Sequence, residues 1–442
     1  MEFNLSPGGT ISGEARVPGD KSISHRSIML GSLAEGETRV SGFLEGDDAL
    51  ATLAAFRAMG VTIERHGEGR VDIQGVGLRG LKAPGSALDL GNSGTSIRLM
   101  SGLLSGQAFS TELTGDASLC GRPMGRVITP LKQMGAVIDG EEGDRPPLKI
   151  TGGQSLSGIH YDLPMASAQV KSCVLLAGLY AGGRTSVTEP AITRDHTERM
   201  LRGFGWDVER NAQGVISLEG GGRLVGTEIE VPADISSAAF FMVAASIAPG
   251  SDLVLQHVGI NPTRTGVITL LQLMGADITL LDEREVGGEP VADIQVRFAP
   301  LRGIDIPADQ IPLAIDEFPA LFVAAACAEG RTVLRGAEEL RVKESDRIAA
   351  MAEGLATLGA NVEVLEDGII IDGFGEGGSF GGGRIDSYHD HRIAMSFAVA
   401  ALRARDAIVI NEVDNVATSF PGFDALARGL GLQISVRSGE ES

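Results

Sequence analysis

Apolar and polar positions alternate along this chain in two patterns, and each pattern recurs six times. In the first, a short β-like stretch meets a Pro, Gly or polar break and then runs into an amphipathic helix of small residues. Copies begin at Arg16 (RVPGDKSISHRSIMLGSLA), Leu88 (LDLGNSGTSIRLMSGLL), Tyr161 (YDLPMASAQVKSCVLLAGL), Glu230 (EVPADISSAAFFMVAAS), Asp305 (DIPADQIPLAIDEFPALFVAAA) and Ile385 (IDSYHDHRIAMSFAVAAL). In the second, a helix stops at glycine and gives way to a strand, as glycine does at a helix C-terminus. Its copies are FRAMGVTIE, LKQMGAVID, LRGFGWDVE, LQLMGADIT, LATLGANVEV and LARGLGLQIS. A repeat of roughly 70 to 85 residues is too long for common solenoid units and suits an α/β subdomain. The patterns therefore predict an α/β protein whose Ala-, Gly- and Ser-rich helices are buried against sheets.

The near-copies VPGDKSIS at Val17 and VPADISSA at Val231 each mark an entry into a domain, with three repeats in each half. Two halves meeting along a cleft would offer a usual place for a ligand. The stretch GFGEGGSFGGGR contains G-x-G-x-x-G, but a strand-like segment follows it. The dinucleotide reading needs a helix there, so a flexible surface loop is expected.

Composition narrows the function. The chain has 442 residues, 43% of them hydrophobic, which suits two cores. Its formal charge of −21 and its 4% aromatic content argue against nucleic acid, which needs a basic face or stacking platforms. Any anionic ligand must then be met by a local basic cluster. Cys120, Cys173 and Cys327 lie far apart with no C-x-x-C spacing, so neither a disulfide framework nor a zinc ribbon is expected, and a reducing cytoplasm fits. The opening residues lack an apolar core behind a basic start, and FFMVAASIA is about half a bilayer span, so no membrane partner is expected.

Each break before a small-residue helix exposes a helix N-terminus, whose N–H groups and dipole favour an anion. Lys21, Ser22, Ser24 and Arg26 cluster at the first, Asn92, Ser93, Gly94, Thr95 and Arg98 at the second, and Ser167, Gln169 and Lys171 at the third. Simple capping is the competing explanation. Arg122, Arg194, Lys343, Arg347 and Arg392 add cations, and the planar arginine fork suits carboxylate and phosphate. Lys343 and Arg347 stand four apart on a predicted helix with Glu344 beside them; a solvated ion pair is the alternative. For acid–base work, Asp316 and Glu344 are the candidates, Asp316 either capping a helix or being presented to a cleft. The H-D-H of His389 to His391 lacks zinc-site spacing, so no metal is expected. Cys120 has no evident histidine partner and is not expected to be a nucleophile.

The segments GDKSISHRS, LGNSGTSIRL, GDASLCGRPMG, PMASAQVKS, TRDHTERML, IDEFP, LRVKESDR, DHRIAMSF and ATSFPGF together resemble the 5-enolpyruvylshikimate-3-phosphate synthase family over essentially the whole chain. The resemblance implies two domains, each of three βαβαββ units with pseudo-threefold symmetry. One spans 21–231, an insertion that mainly binds shikimate 3-phosphate. The other, 1–20 with 232–442, contributes phosphoenolpyruvate-binding and acid–base residues. It also implies transfer of the enolpyruvyl group of phosphoenolpyruvate to the 5-hydroxyl of shikimate 3-phosphate, by addition and elimination, in a cytoplasmic monomer without cofactor. Carried over by motif, Lys21, Ser22, Arg26, Ser167, Ala168, Gln169, Arg194, Asp316 and Lys343 would bind shikimate 3-phosphate. Lys21, Asn92, Gly94, Thr95, Arg122, Gln169, Arg347 and Arg392 would bind phosphoenolpyruvate. Lys21, Asp316 and Glu344 would be catalytic.

Two departures bear on this. Thr418 stands where the first class of the family carries a lysine, while R-D-H-T-E, S-A-Q-V-K and N-P-T-R resemble the second class, often tolerant of the inhibitor glyphosate. Gly94 points the other way, since tolerant relatives carry alanine there, so partial tolerance is expected. The alternatives are a UDP-N-acetylglucosamine enolpyruvyl transferase, whose catalytic cysteine would fall at Ala117, and a non-catalytic anion-binding protein of the same fold.

Overall fold

A computed structural model describes residues 1–438; the last four residues of the chain lie outside it. The chain divides into two compact units. An inserted unit comprises Gly19–Val231 with Val286–Glu289, and a flanking unit comprises Met1–Pro18, Pro232–Glu285 and the chain from Pro290.

The inserted unit contains α1 (Lys21–Leu33), α2 (Asp47–Ala58), α3 (Gly94–Ser105), α4 (Ala117–Cys120), α5 (Gly125–Gln133), α6 (Ala168–Gly178) and α7 (His196–Gly203). Three sheets repeat one pairing scheme. Ala34–Ser41 pairs parallel with Glu228–Glu230 and antiparallel with Arg70–Val76. Thr111–Thr114 does the same with Leu88–Asp89 and Arg145–Thr151, and Arg184–Thr188 with His160–Asp162 and Ile216–Glu219. Helices α1, α3 and α6 are the small-residue helices, buried along almost their whole length, with the polar groups they bury, such as Arg26 and Lys171, bonded inside the unit. Small residues also let them approach closely: a Cβ on Gly102 of α3 would lie 2.2 Å from the Cys173 carbonyl oxygen of α6.

The flanking unit contains α8 (Ile235–Ile247), α9 (Gly266–Leu273), α10 (Phe318–Cys327), α11 (Arg347–Thr357), α12 (His391–Ala400) and α13 (Phe423–Leu430). Every residue of α8 and α10 is buried. Strand Glu2–Leu5 lies between Ile408–Asn411 and Ile434–Arg437, antiparallel to both, and Phe3 stacks on Phe423 with ring centroids 6.0 Å apart. In both units the outer helices end at glycines in the left-handed region, as at Gly60 (φ +89°) and Gly359 (φ +87°), where a Cβ would be strained. Each unit has its own hydrophobic core. Among the described residues no helix is long and apolar enough to cross a membrane.

Two local expectations differ from the structure. The segment carrying Lys343 is not one helix: a 3-10 turn covers Glu338–Val342, and α11 begins only at Arg347, with Asp346 as its cap accepting from Ala349 N at 3.0 Å. The glycine-rich stretch is not a free loop. Arg403 donates to the carbonyls of Gly375, Glu376 and Gly378 at 2.8–3.1 Å, and Phe380 is buried edge-on to Phe374 at 5.0 Å. A buried guanidinium with several donors fixes backbone that glycine leaves loose.

Candidate active site

In the inserted unit the predicted residues gather at the N-termini of α1, α3 and α6. Asp20, Ser93 and Ser167 cap these helices, accepting from Ile23 N, Ser96 N and Val170 N. The capping explanation is thus realised for Ser167, yet its hydroxyl keeps a proton to donate. Ala168 opens α6 and offers only its backbone N–H there. Gln169 ties α6 to α3: its Oε1 accepts from Arg98 Nη1 at 2.7 Å and its Nε2 donates to Thr95 Oγ1 at 3.1 Å. Arg122 Nη2 donates to Asn92 Oδ1 at 2.6 Å and to Ser118 Oγ at 3.1 Å, while Asn92 Nδ2 donates to Asp116 at 2.8 Å.

Gly94 sits where these cations meet. A Cβ there would lie 2.9 Å from Arg98 Nη1 and 3.1 Å from Arg122 Nη1. Gly94→Ala is therefore expected to push the ends of both guanidiniums aside.

Other predicted residues are less accessible. Lys21 pairs with Asp48 of α2, itself buried. Arg26 spends three donors inside the unit, on Thr197 Oγ1 at 2.7 Å, Ser172 Oγ at 3.0 Å and the Ser22 carbonyl at 2.9 Å. Ser24 is buried and accepts from Leu44 N. Lys171, read from sequence as part of an anion site, is fully buried between Glu189 and Glu198. Arg194 lies in the segment between strand Arg184–Thr188 and α7, half-buried. Burial pushes the imidazole of His25 well below its ordinary value, helped by Lys21 and Arg26, so it is neutral; its Nδ1 faces Thr52 Oγ1 at 2.8 Å.

The flanking unit holds the second constellation. Arg347, 1% exposed at the start of α11, donates from Nε to Asp390 at 2.9 Å, from Nη1 to Asp316 at 3.2 Å and from Nη2 to Glu344 at 2.5 Å. This is no solvated pair: one buried cation gathers three carboxylates. Burial alone would raise the Asp390 carboxyl, but the Arg347 guanidinium outweighs it and holds Asp390 below its usual value. Asp390 also caps α12 through Arg392 N at 2.9 Å and accepts from Ser345 Oγ at 2.9 Å.

Asp316 precedes α10 without capping it; the cap position is Glu317, with no side-chain cap bond. Asp316 is held instead by Arg347 and by Lys343 Nζ at 3.5 Å. Lys343 also pairs with Glu339 at 2.7 Å. Burial would lower its pKa, but Asp316 and Glu339 together raise it, so Lys343 stays charged at neutral pH. Arg392 Nη1 donates to the Asp316 carbonyl at 3.2 Å. Thr418 hydrogen-bonds the Asn415 carbonyl at 2.7 Å within its own 3-10 turn.

Three side chains read as a possible metal motif diverge: His389 pairs with Glu412, Asp390 turns inward to Arg347, and His391 is buried at the start of α12. Cys120 Sγ lies 3.4 Å from the Gly115 carbonyl. Asp48, Asp390 and Glu339 were not among the predicted residues, and no spacing in the sequence pairs them with Lys21, Arg347 or Lys343, except the i, i+4 step from Glu339 to Lys343.

Comparison with known proteins identifies the family. The pattern of the EPSP synthase (3-phosphoshikimate 1-carboxyvinyltransferase) family matches residues 5–426. The 3-phosphoshikimate 1-carboxyvinyltransferase of Alkalilimnicola ehrlichii is 66% identical over 435 residues, 98% of this chain and 97% of the relative. That of Methylococcus capsulatus is 66% identical over 434 residues, 98% of each chain. A solved structure of EPSP synthase from Acinetobacter baumannii superposes with a TM-score of 0.88 at 62% identity, over 99% of this chain and 100% of that one. At this identity over this length, the chain belongs to the EPSP synthase family and has its activity, that of a 3-phosphoshikimate 1-carboxyvinyltransferase.

Proposed function

We propose that the two constellations divide the labour of one transfer between them. The inserted unit binds the phosphorylated ring through Ser22, Arg26, Ser167, Ala168, Gln169 and Arg194, and the phosphoenolpyruvate through Lys21, Asn92, Gly94, Thr95 and Arg122. The flanking unit adds Arg347 and Arg392 to the phosphoenolpyruvate and Lys343 to the ring. Asp316 takes the proton of the attacking 5-hydroxyl as its oxygen bonds to C2 of phosphoenolpyruvate. Glu344, entering in its protonated form, gives the methylene carbon a proton on addition and takes it back as phosphate departs, and the proton taken by Asp316 leaves on that phosphate. Fixed cations suit this chemistry because they stabilise charge on phosphate and carboxylate oxygens without having to reorganise. The reading needs no metal or organic cofactor.

The observation that carries it is the setting of Asp316: a carboxylate 14% exposed, excluded from capping, and flanked by a permanently charged arginine and a lysine. A lone acid there would be a cap or a surface charge; here Lys343 and Arg347 fix the carboxylate in place as a candidate partner for the hydroxyl proton. The three thiols, which form no disulfide, support a reducing compartment, the cytoplasm.

Steady-state kinetics on two variants test the division. Arg194→Ala is expected to raise KM for shikimate 3-phosphate about tenfold or more, and Arg392→Ala that for phosphoenolpyruvate, each through a lost charge-assisted bond. The opposite pattern would reverse the assignment.

A further inference from the structure

Building on the reading of Arg194 as a ligand of the phosphorylated ring, we propose that Lys171, Glu189 and Thr193 form a buried clamp that sets the position of Arg194. They are positioning residues for the substrate, not ligands themselves.

Arg194 lies in the stretch between strand Arg184–Thr188 and α7, which makes neither helix nor sheet bonds of its own. Its course therefore depends on side chains. Lys171, on α6 and fully buried, places Nζ 3.1 Å from Glu189 Oε2, 2.9 Å from Glu198 Oε1 and 3.3 Å from the Thr193 carbonyl. Glu189 Oε2 in turn accepts from both the backbone N (3.3 Å) and the hydroxyl (2.6 Å) of Thr193, and its Oε1 accepts from Arg210 at 2.8 Å. One residue beyond Arg194, Asp195 is held by Arg199 Nε at 2.9 Å. Arg194 is thus bracketed by anchored neighbours on both sides.

The chemistry of the clamp fits positioning. Buried Lys171 faces the carboxylates of both Glu189 and Glu198, and Arg210 reaches Glu189 from the surface, an arrangement that is weak evidence for stability and is available for positioning. Fixing the segment beforehand removes an ordering cost that substrate binding would otherwise bear. An arginine misplaced by about 1 Å loses the benefit of its planar fork.

Thr193→Val keeps shape and backbone but removes the hydroxyl that Glu189 grips. It is expected to raise KM for shikimate 3-phosphate about tenfold, the scale of one lost hydrogen bond, while kcat and KM for phosphoenolpyruvate stay within error of the parent and the thermal midpoint falls by no more than a few degrees. Lys171→Met should act in the same direction but more strongly, and Thr193→Val keeps the test decisive if that variant does not fold. In an Arg194→Ala background the Thr193→Val change should have no further effect. A tenfold rise that persists without Arg194, or no rise at all with Arg194 present, would overturn the clamp. If Arg194→Ala alone left KM for shikimate 3-phosphate unchanged, the assignment of Arg194 itself would fall, and the clamp with it.

Discussion

Arg347→Met is expected to abolish measurable turnover, lowering kcat/KM by about 1,000-fold or more, and to destabilise the flanking unit. The reasoning rests on what the guanidinium touches. On the role proposed for it, removing Arg347 deletes a fixed cation from the transition state, and losing one such donor costs about 100- to 1,000-fold on its own. It also leaves Asp390, Asp316 and Glu344 gathered without their common partner. Breaking a buried ion pair on one side costs about 3–5 kcal/mol, because the remaining charge stays desolvated. For a unit of this size that corresponds to a fall of roughly 10 °C in thermal midpoint.

The stability loss has a pH signature. In the parent, Arg347 holds Asp390 below its ordinary value, so the stabilisation from that carboxylate is complete above about pH 3.9, the unfolded value, and disappears as pH falls through the lower folded value. In the variant, burial is no longer outweighed by Arg347 and raises the carboxyl, so protonation relieves the uncompensated charge. The difference between parent and variant should therefore be greatest near neutrality and shrink on acidification, which thermal melts across pH would record. A difference that grew towards acid would contradict this arrangement.

Asp316→Asn is expected to lower kcat by about 100-fold or more, the usual contribution of an acid–base group, with both KM values within a few-fold. Asparagine keeps the shape beside Lys343 and Arg347 but cannot take up the hydroxyl proton. Alanine should lose at least as much turnover, and it also leaves the Lys343 and Arg347 charges without the carboxylate between them. Rapid-quench measurement of the chemical step separates loss of proton transfer from loss of binding. Turnover unchanged in the asparagine variant would remove Asp316 from the reaction.

Much of the fold was legible because it is repetitive. Six helix–glycine–strand passages announce themselves through a local rule, the left-handed glycine at a helix end, and all six are present. Burial of α8 and α10 followed from helices with almost no polar residue to expose. The breaks in this legibility have local causes too. LRVKESDR reads as one helix by spacing, but Asp346 caps a new helix and thereby ends the old turn, a signal visible in the sequence and outweighed there by periodicity. The glycine-rich stretch reads as loose because its anchor, Arg403, comes some twenty residues later.

Site residues were legible as types and motifs, not as partners. Lys171 and Gln169 look alike on paper, both polar near the start of one helix. Yet two positions along α6 turn the first into the interior against Glu189 and Glu198, and leave the second to join Arg98 and Thr95. Lys21 gave no hint of Asp48, nor Arg347 of Asp390, because those contacts are made by tertiary packing across separate helices.

The most direct test of the account is release of inorganic phosphate from phosphoenolpyruvate by the purified protein, measured with and without shikimate 3-phosphate. The account predicts release only when both compounds are present, with an enolpyruvyl ether formed in equal amount. Release that ignored shikimate 3-phosphate, or no release with both present, would contradict it.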